Sequence, residues 1–282
     1  MGIFKSKPQS GRVLKGSPLH VSVSIAARMQ ATIDKHVSRM VKETERDIRK
    51  LFEADDYSIS YGMDANIGSQ ARMMMNSLYR KFNAMFGKVA QPTADKMTEQ
   101  AEKNSAATLK SSLDSTGALE IPMSFITPTI KEIVKGSAYE AAHLIKRVPA
   151  KYLDNIANSV FRAITEGKGL ADIQPMLEQQ NVSVRNWAKN VSMDQTRKCY
   201  NNLNRERMES VGIEEYDWMH SHGSNHPRKY HRDVLDNTRQ RWDSPPWAEP
   251  SGTKNRHRAH PGELPYCRCV ARPVINFSKR EG

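Results

Sequence analysis

Residues 218–237 read WMHSHGSNHPRKYHRDVLDN, and residues 260–275 read HPGELPYCRCVARPVI. These two stretches decide the fold, because they break with everything before them. Up to Gly212 the apolar residues recur at helical spacing; from Ile213 to Met219 (IEEYDWM) they alternate as in a strand. Cys269 to Phe277 (CVARPVINF) is extended as well, with Pro273 expected at a sheet edge or strand end. Between them lies a polar insert with Pro227, Pro245, Pro246, Pro250 and Pro261. A loop that long inside a compact domain needs something to pin it.

Upstream, Ile25, Met29, Ile33, Val37, Met40, Val41, Thr44, Ile48, Leu51 and Phe52 fall at three- and four-residue steps. They predict an amphipathic helix of roughly eight turns, with the period breaking over 54–66. A second helix runs from about Ile67 to Val89 on Ala71, Met74, Met75, Leu78, Phe82, Met85 and Phe86, the methionines serving as core filler. Pro92 suits a first helical position and opens a third helix to about Leu113. Residues 114–127 form a linker with some extended character. Thr127-Pro128 then gives an N-cap and N1 for a helix on Ile130, Ile133, Val134, Ala138, Ala141, Leu144 and Ile145, ended by Pro149. The next helix carries Tyr152, Ile156, Val160 and Ile164 and stops at Gly167-Lys168-Gly169. A short element, LADIQPMLEQQ, precedes a last helix over 183–211, on Trp187, Ala188, Val191, Cys199, Leu203 and Met208, which Gly212 closes.

The fold class expected is mainly α: elongated helical N-terminal and middle regions, then a small α+β C-terminal module with a short β-hairpin or sheet and long loops. The corresponding segments are a flexible arm (1–20), an N-terminal helical region (21–115), a middle helical region (116–182) and the module (183–282).

The net charge of +12 favours polyanionic partners, nucleic acid above all, without separating them from a merely basic solvated surface. Nothing approaches a membrane span, and the N-terminus lacks the apolar core of a secretory signal. Cys199, Cys267 and Cys269 are three, and Cys267 and Cys269 stand too close to bridge each other easily, which suggests a reducing compartment. Six of the nine histidines cluster in the module: His220, His222, His226, His231, His257 and His260.

Three readings of that cluster stay open. His222, His226, His231, Cys267 and Cys269 offer zinc ligands, although Cys-x-Cys departs from the usual structural zinc spacing. His231 with Asp233, Asp236 and Cys267 offers parts of a nuclease or thiol enzyme, with no motif that fixes their geometry. The reading favoured is a structural clasp without catalytic residues, made of Trp218, Arg228, His231, Cys267, Arg268 and Cys269. Buried histidine ties loop carbonyls together, arginine forks onto oxygens, and the cysteines act as small hydrophobes. Cofactors are expected to be none, with zinc as the exception to watch. A nucleic-acid-facing set is read in Arg228, Lys229, Arg232, Arg239, Arg241, Lys254, Arg256 and Arg258, with a solvated loop as the equal alternative.

At these residues the chain resembles the Mu F-like phage head-morphogenesis, or minor head protein, family. Gly212 and Trp218 match its turn into an aromatic strand. Arg228 and His231 in RKYH match its Arg-x-x-His. Asp236-Asn237 stands where Asp-Gly is usual, and Asn also tolerates a left-handed turn. Pro261-Gly262 and Cys267-Arg268-Cys269 match the closing element. The likeness is closest over about 183–277; SMDQTRK at 192–198 departs from the family's pattern, and residues 1–115 carry no signature. The resemblance implies a low-copy, non-enzymatic head protein that binds portal protein and major capsid protein during procapsid assembly in the host cytoplasm. It would lie inside the virion near the portal, organised as an oligomer by the portal and touching packaged double-stranded DNA. The enzyme alternative, a packaged metal-dependent nuclease or toxin-like effector, is expected to need sequence beyond the module, and this chain has only a few residues there.

Overall fold

The computed structural model describes residues 3–4, 12–60, 67–117, 119–120, 126–223, 227–249 and 257–277. The chain forms two compact units: Ala27–Ala94 with Tyr139–Ser192, and Met1–Ala26 with Asp95–Ala138 and Met193–Gly282. Five helices supply most of the structure: α1 (Val23–Ser60), α2 (Ile67–Asp114), α3 (Pro128–Lys146), α4 (Val148–Thr165) and α5 (Leu170–Ser210). The strands are β1 (Ile3–Phe4), β2 (Val13–Lys15), β3 (Leu119–Glu120), β4 (Glu215–Met219), β5 (Arg239–Arg241) and β6 (Val270–Asn276). The mainly α class with a small sheet at the C-terminal side is therefore as expected. Among the described residues no helix is long and apolar enough to cross a membrane.

The first unit is all helical. All ten positions of the α1 stripe are buried, from Ile25 to Phe52. In α2 the face of Ala71, Met75, Leu78, Phe82 and Phe86 is buried, while Met74 and Met85 are only partly so. Four boundaries differ from those expected. α1 continues to Ser60, and residues 61–66 lie outside the described residues. α2 runs straight through Pro92. Proline there removes one backbone donor, but Ala90 and Ala94 on either side are fully buried, so packing outweighs the lost bond. α5 likewise absorbs both the short element, with Pro175 inside its second turn, and the Asn181-Val182 junction that follows it. Asn181 is held in place by Tyr152, whose hydroxyl donates to Oδ1 at 3.0 Å, and by Glu45, to which its Nδ2 donates. Tertiary contacts thus override a weak local helix propensity. Pro149 does not end α3, which stops at Lys146; it sits in the first turn of α4, where no donor is needed.

The second unit contains the sheet. Four strands pair antiparallel in the order β2-β6-β4-β5, and β1 pairs separately with β3. Val13–Lys15, expected in a flexible arm, is the edge strand β2, and Leu19 just after it is buried. β6 lies inside the sheet, so Pro273 is not at an edge. Its carbonyl accepts from Gly16 N–H at 3.0 Å, so its donorless nitrogen faces the β2 side, where β2 has stopped at Lys15. Thr127 caps α3, its hydroxyl accepting from Ile130 N–H at 3.0 Å, and Gly212 ends α5 at φ +76°.

Strand alternation splits β4 between two environments. Tyr216 and Trp218 enter the core with Leu19, Leu109, Tyr200 and Met208. Glu215 and Asp217 are also buried, but on the opposite face. There Asp217 stands across from Arg239 on β5 and Arg272 on β6, and it accepts from both at 2.6 Å, with Lys15 at 2.9 Å. Burial alone would raise the Asp217 pKa; the hydrogen bonds from Arg239, Lys15 and Arg272 outweigh it and hold the carboxyl below its ordinary 3.8. A depressed folded pKa contributes stability above the unfolded value, and that stability is lost as pH falls through the folded one. Urea midpoints of the parent are therefore expected to drop as pH falls below about 4, and Asp217→Asn should flatten that dependence. An unchanged pH profile in the variant would remove Asp217 from the account.

Candidate functional site

The site is built on the segment after β4. Trp218 exchanges hydrogen bonds with the far side of the turn: its N–H donates to Thr238 O at 2.9 Å, and its carbonyl accepts from Asn237 N–H at 2.7 Å. Asn237 sits at φ +60°, so the left-handed turn expected at Asp236-Asn237 is present. The Asp236 carboxylate accepts from His220 N–H at 2.6 Å and meets His222 Nε2 at 3.2 Å. Between these strands the chain makes one π-helical turn, His231–Leu235, which aims His231 inward. Such turns are rare and concentrate where a side chain must be redirected.

His231 is buried, with its ring edge-on to Trp218 at 5.1 Å. Its Nε2 lies 2.8 Å from the carbonyl of Ala248. A carbonyl only accepts, so Nε2 carries a proton, and in the neutral ring Nδ1 is the lone-pair nitrogen. That lone pair faces Cys267 Sγ and Cys269 Sγ, each 3.6 Å away. Both cysteines are buried, and the three potential ligand atoms lie within 4.8 Å of one another, a set able to hold a metal ion. A hydrogen bond shared between the two sulfurs drives Cys267 down and Cys269 up, with burial opposing the first shift and reinforcing the second.

The backbone explains the convergence. Tyr266 is held at φ +61°, an uncommon conformation for an aromatic residue, and its N–H donates to Asp194 Oδ1 at 2.8 Å. Cys267 N–H then closes a turn onto Leu264 O at 3.0 Å. Cys267 and Cys269 leave this turn on one side of an extended backbone, and Arg268 reaches away to the carbonyl of Gly223. Arg228 donates to Pro265 O at 2.9 Å and pairs with Glu249 at 3.4 Å. Five of the six residues read as a clasp, Arg228, His231, Cys267, Arg268 and Cys269, line one open cleft of about 410 Å³, together with His220, Ser221, Pro227 and Tyr266; the sixth, Trp218, packs against the His231 ring. Gly262 is required as glycine: at φ +80° a Cβ would fall 1.8 Å from the Asn201 amide.

Other candidates fall elsewhere. His222 pairs with Asp236 and its ring packs on His220 at 4.7 Å, apart from the sulfurs. His226 lies outside the described residues, as do Lys254 and Arg256. Asp233 is exposed and paired with Arg232 at 2.6 Å, so neither it nor Asp236 joins His231. Most of the basic set is locally engaged. Arg239 binds Asp217 and Glu215, and Arg241 binds Asp243 at 2.7 Å and Glu214 at 3.2 Å. Arg258 lies over Trp247 at 4.7 Å and donates to Pro245 O. Lys229 is exposed and makes no ion pair among the described residues. His260, read only as part of the cluster, is a separate buried group. Its Nδ1 meets Tyr216 Oη at 2.9 Å, and burial, then Arg205, push its pKa down to about 4. Sequence reasoning did not single out Tyr266, Asp194 or Ala248; Tyr266 and Ala248 act through their backbone, which residue type does not announce, and the Asp194 carboxylate meets Tyr266 N–H only through the fold.

Comparison with known proteins agrees with the motif. Residues 154–272 match the family model described as Phage Mu protein F like protein. The match takes in most of the module, α5 and part of α4. A relative from Haemophilus influenzae (strain ATCC 51907 / DSM 11121 / KW20 / Rd), described only as an uncharacterized protein, is 24% identical over 278 residues. The alignment takes in 97% of this chain and 58% of the relative, so the chain spans little more than half of that relative's length. No solved structure matches significantly.

Proposed function

We propose, from the Mu F-like character of residues 154–272, that this chain works as a minor head protein of a tailed bacteriophage. Its role is binding: portal and major capsid protein during procapsid assembly, and packaged DNA inside the head. The observation that carries the reading is the family match over a module whose matched motif residues converge on one cluster. No catalytic residue is assigned, because neither Asp233 nor Asp236 stands with His231 as acid–base chemistry would require.

The DNA contact is the weaker half of this reading. A net charge of +12 supports it. Yet Arg232, Arg239 and Arg241 already face carboxylates, so among the described residues few cations of the set are spare to displace counterions. Binding to duplex DNA is therefore expected to be sequence-independent and to fall only shallowly with salt, by a log–log slope of about −0.9 for each phosphate neutralised. Electrophoretic shifts across a salt series test this, and no shift even at low salt removes DNA as a partner. Co-expression with the cognate portal protein tests the other half. Co-purification that survives nuclease treatment is expected; its absence would sink the assembly role.

A further inference from the structure

We propose that His231 Nδ1, Cys267 Sγ and Cys269 Sγ form a zinc site, with the fourth position taken by solvent from the adjoining cleft. Zinc bonds of about 2.3 Å to sulfur and 2.0–2.1 Å to nitrogen, at a tetrahedral angle, separate S from N by about 3.5–3.6 Å. Both sulfurs stand at 3.6 Å from the same nitrogen.

The hydrogen bonding makes the metal-free arrangement incomplete. With Nε2–H committed to Ala248 O, His231 offers one lone pair to two buried thiols. That lone pair accepts well from only one of them, whereas a cation draws on all three atoms at once. The Ala248 carbonyl then plays the part of an outer partner that fixes the tautomer of a ligating histidine. The indole N–H of Trp218 is buried facing Cys269 without a hydrogen bond of ordinary geometry, and a metal-bound thiolate is a better acceptor for it than a thiol. The Cys-x-Cys spacing is no obstacle on an extended backbone, which turns both thiols to one side. His220, Arg228 and Arg268 leave the cleft side of the cluster open to water. Binding displaces the thiol protons to solvent and involves no change of oxidation state. The ion would clip the π-helical turn to the start of β6 across 36 and 38 residues of loop-rich chain, which has few apolar residues of its own to hold it.

The test uses the full-length chain purified under reducing conditions without chelator. Elemental analysis is expected to find about one zinc per chain. After chelator stripping, cobalt(II) should restore a thiolate-to-metal charge-transfer band and a tetrahedral visible spectrum, both displaced by added zinc. Cys267→Ser combined with Cys269→Ser should abolish the band and weaken zinc binding by more than the ~10–100-fold that an outer partner is worth. Far-ultraviolet circular dichroism shows whether that variant is folded. If it is not, the parent's cobalt titration decides alone. A folded parent chain that retains no zinc and gives no thiolate band with cobalt overturns the proposal, as does a serine variant that binds zinc as tightly as the parent.

Discussion

Trp218→Ala is expected to cost about 3–5 kcal/mol, a large share of the roughly 5–15 kcal/mol that holds a domain folded. The indole is fully buried at the centre of a cluster that includes Tyr216, Trp242, Leu235 and Ile275. It also backs the imidazole of His231 edge-on at 5.1 Å. Removing it opens a cavity that rigid neighbours on β4 and β6 cannot close, because both strands are paired on each side. Guanidinium titrations followed by near-ultraviolet circular dichroism, with hydrogen exchange of β4 and β6 amides, read the effect. Trp218→Phe should recover part of the loss. A cost below about 1 kcal/mol for the alanine variant would show that the indole is replaceable packing.

Glu102→Ala is expected to be almost as damaging, for an electrostatic reason. Arg207 on α5 has a side chain only 3% exposed, and it pairs with Glu102 on α2 while donating to Ser105 Oγ at 3.0 Å. Ser105 in turn donates to Asn204 Oδ1 at 2.8 Å. Burial lowers the Arg207 pKa, but a guanidinium in this range stays charged. Deleting Glu102 therefore strands a buried cation, at about 3–5 kcal/mol. Replacing both partners, as in Glu102→Leu with Arg207→Met, should return much of that stability, since an apolar pair of similar volume avoids the desolvation. Denaturation midpoints of the single and double variants decide the matter. Equal destabilisation of the two would assign the loss to packing instead of to the unpaired charge.

What the sequence disclosed, and what it hid, divides by range of interaction. The α1 stripe was readable because a 3.6-residue period is a local property, and every position in it is buried. Gly212, Thr127 and Asn237 were readable because turn and cap chemistry is local as well. Pro92 and the Asn181-Val182 junction misled for the converse reason. Their local preference is against helix; the burial of Ala90 and Ala94 around Pro92, and the contacts of Glu45 and Tyr152 with Asn181, overrule it. β2 was hidden because three residues have no periodicity to detect; their partner lies at the other side of the sequence. The clasp residues were named from motif chemistry, while their mutual distances came only with the structure. The ion ladder around Asp217 was likewise invisible, since Lys15, Arg239 and Arg272 become its neighbours only through strand register.

The pairing of β2 with β6 joins Lys15 to Val274 and Val13 to Asn276, partners separated by roughly 260 residues. At a synthesis rate of about 5–20 residues per second, the ribosome delivers the second partner roughly ten to fifty seconds after the first. During that interval Leu14 and Leu19 have no β6 to cover them. The nascent chain thus carries an unpaired strand through most of its translation, a stage at which chaperone shielding governs the yield of soluble protein more than final stability does.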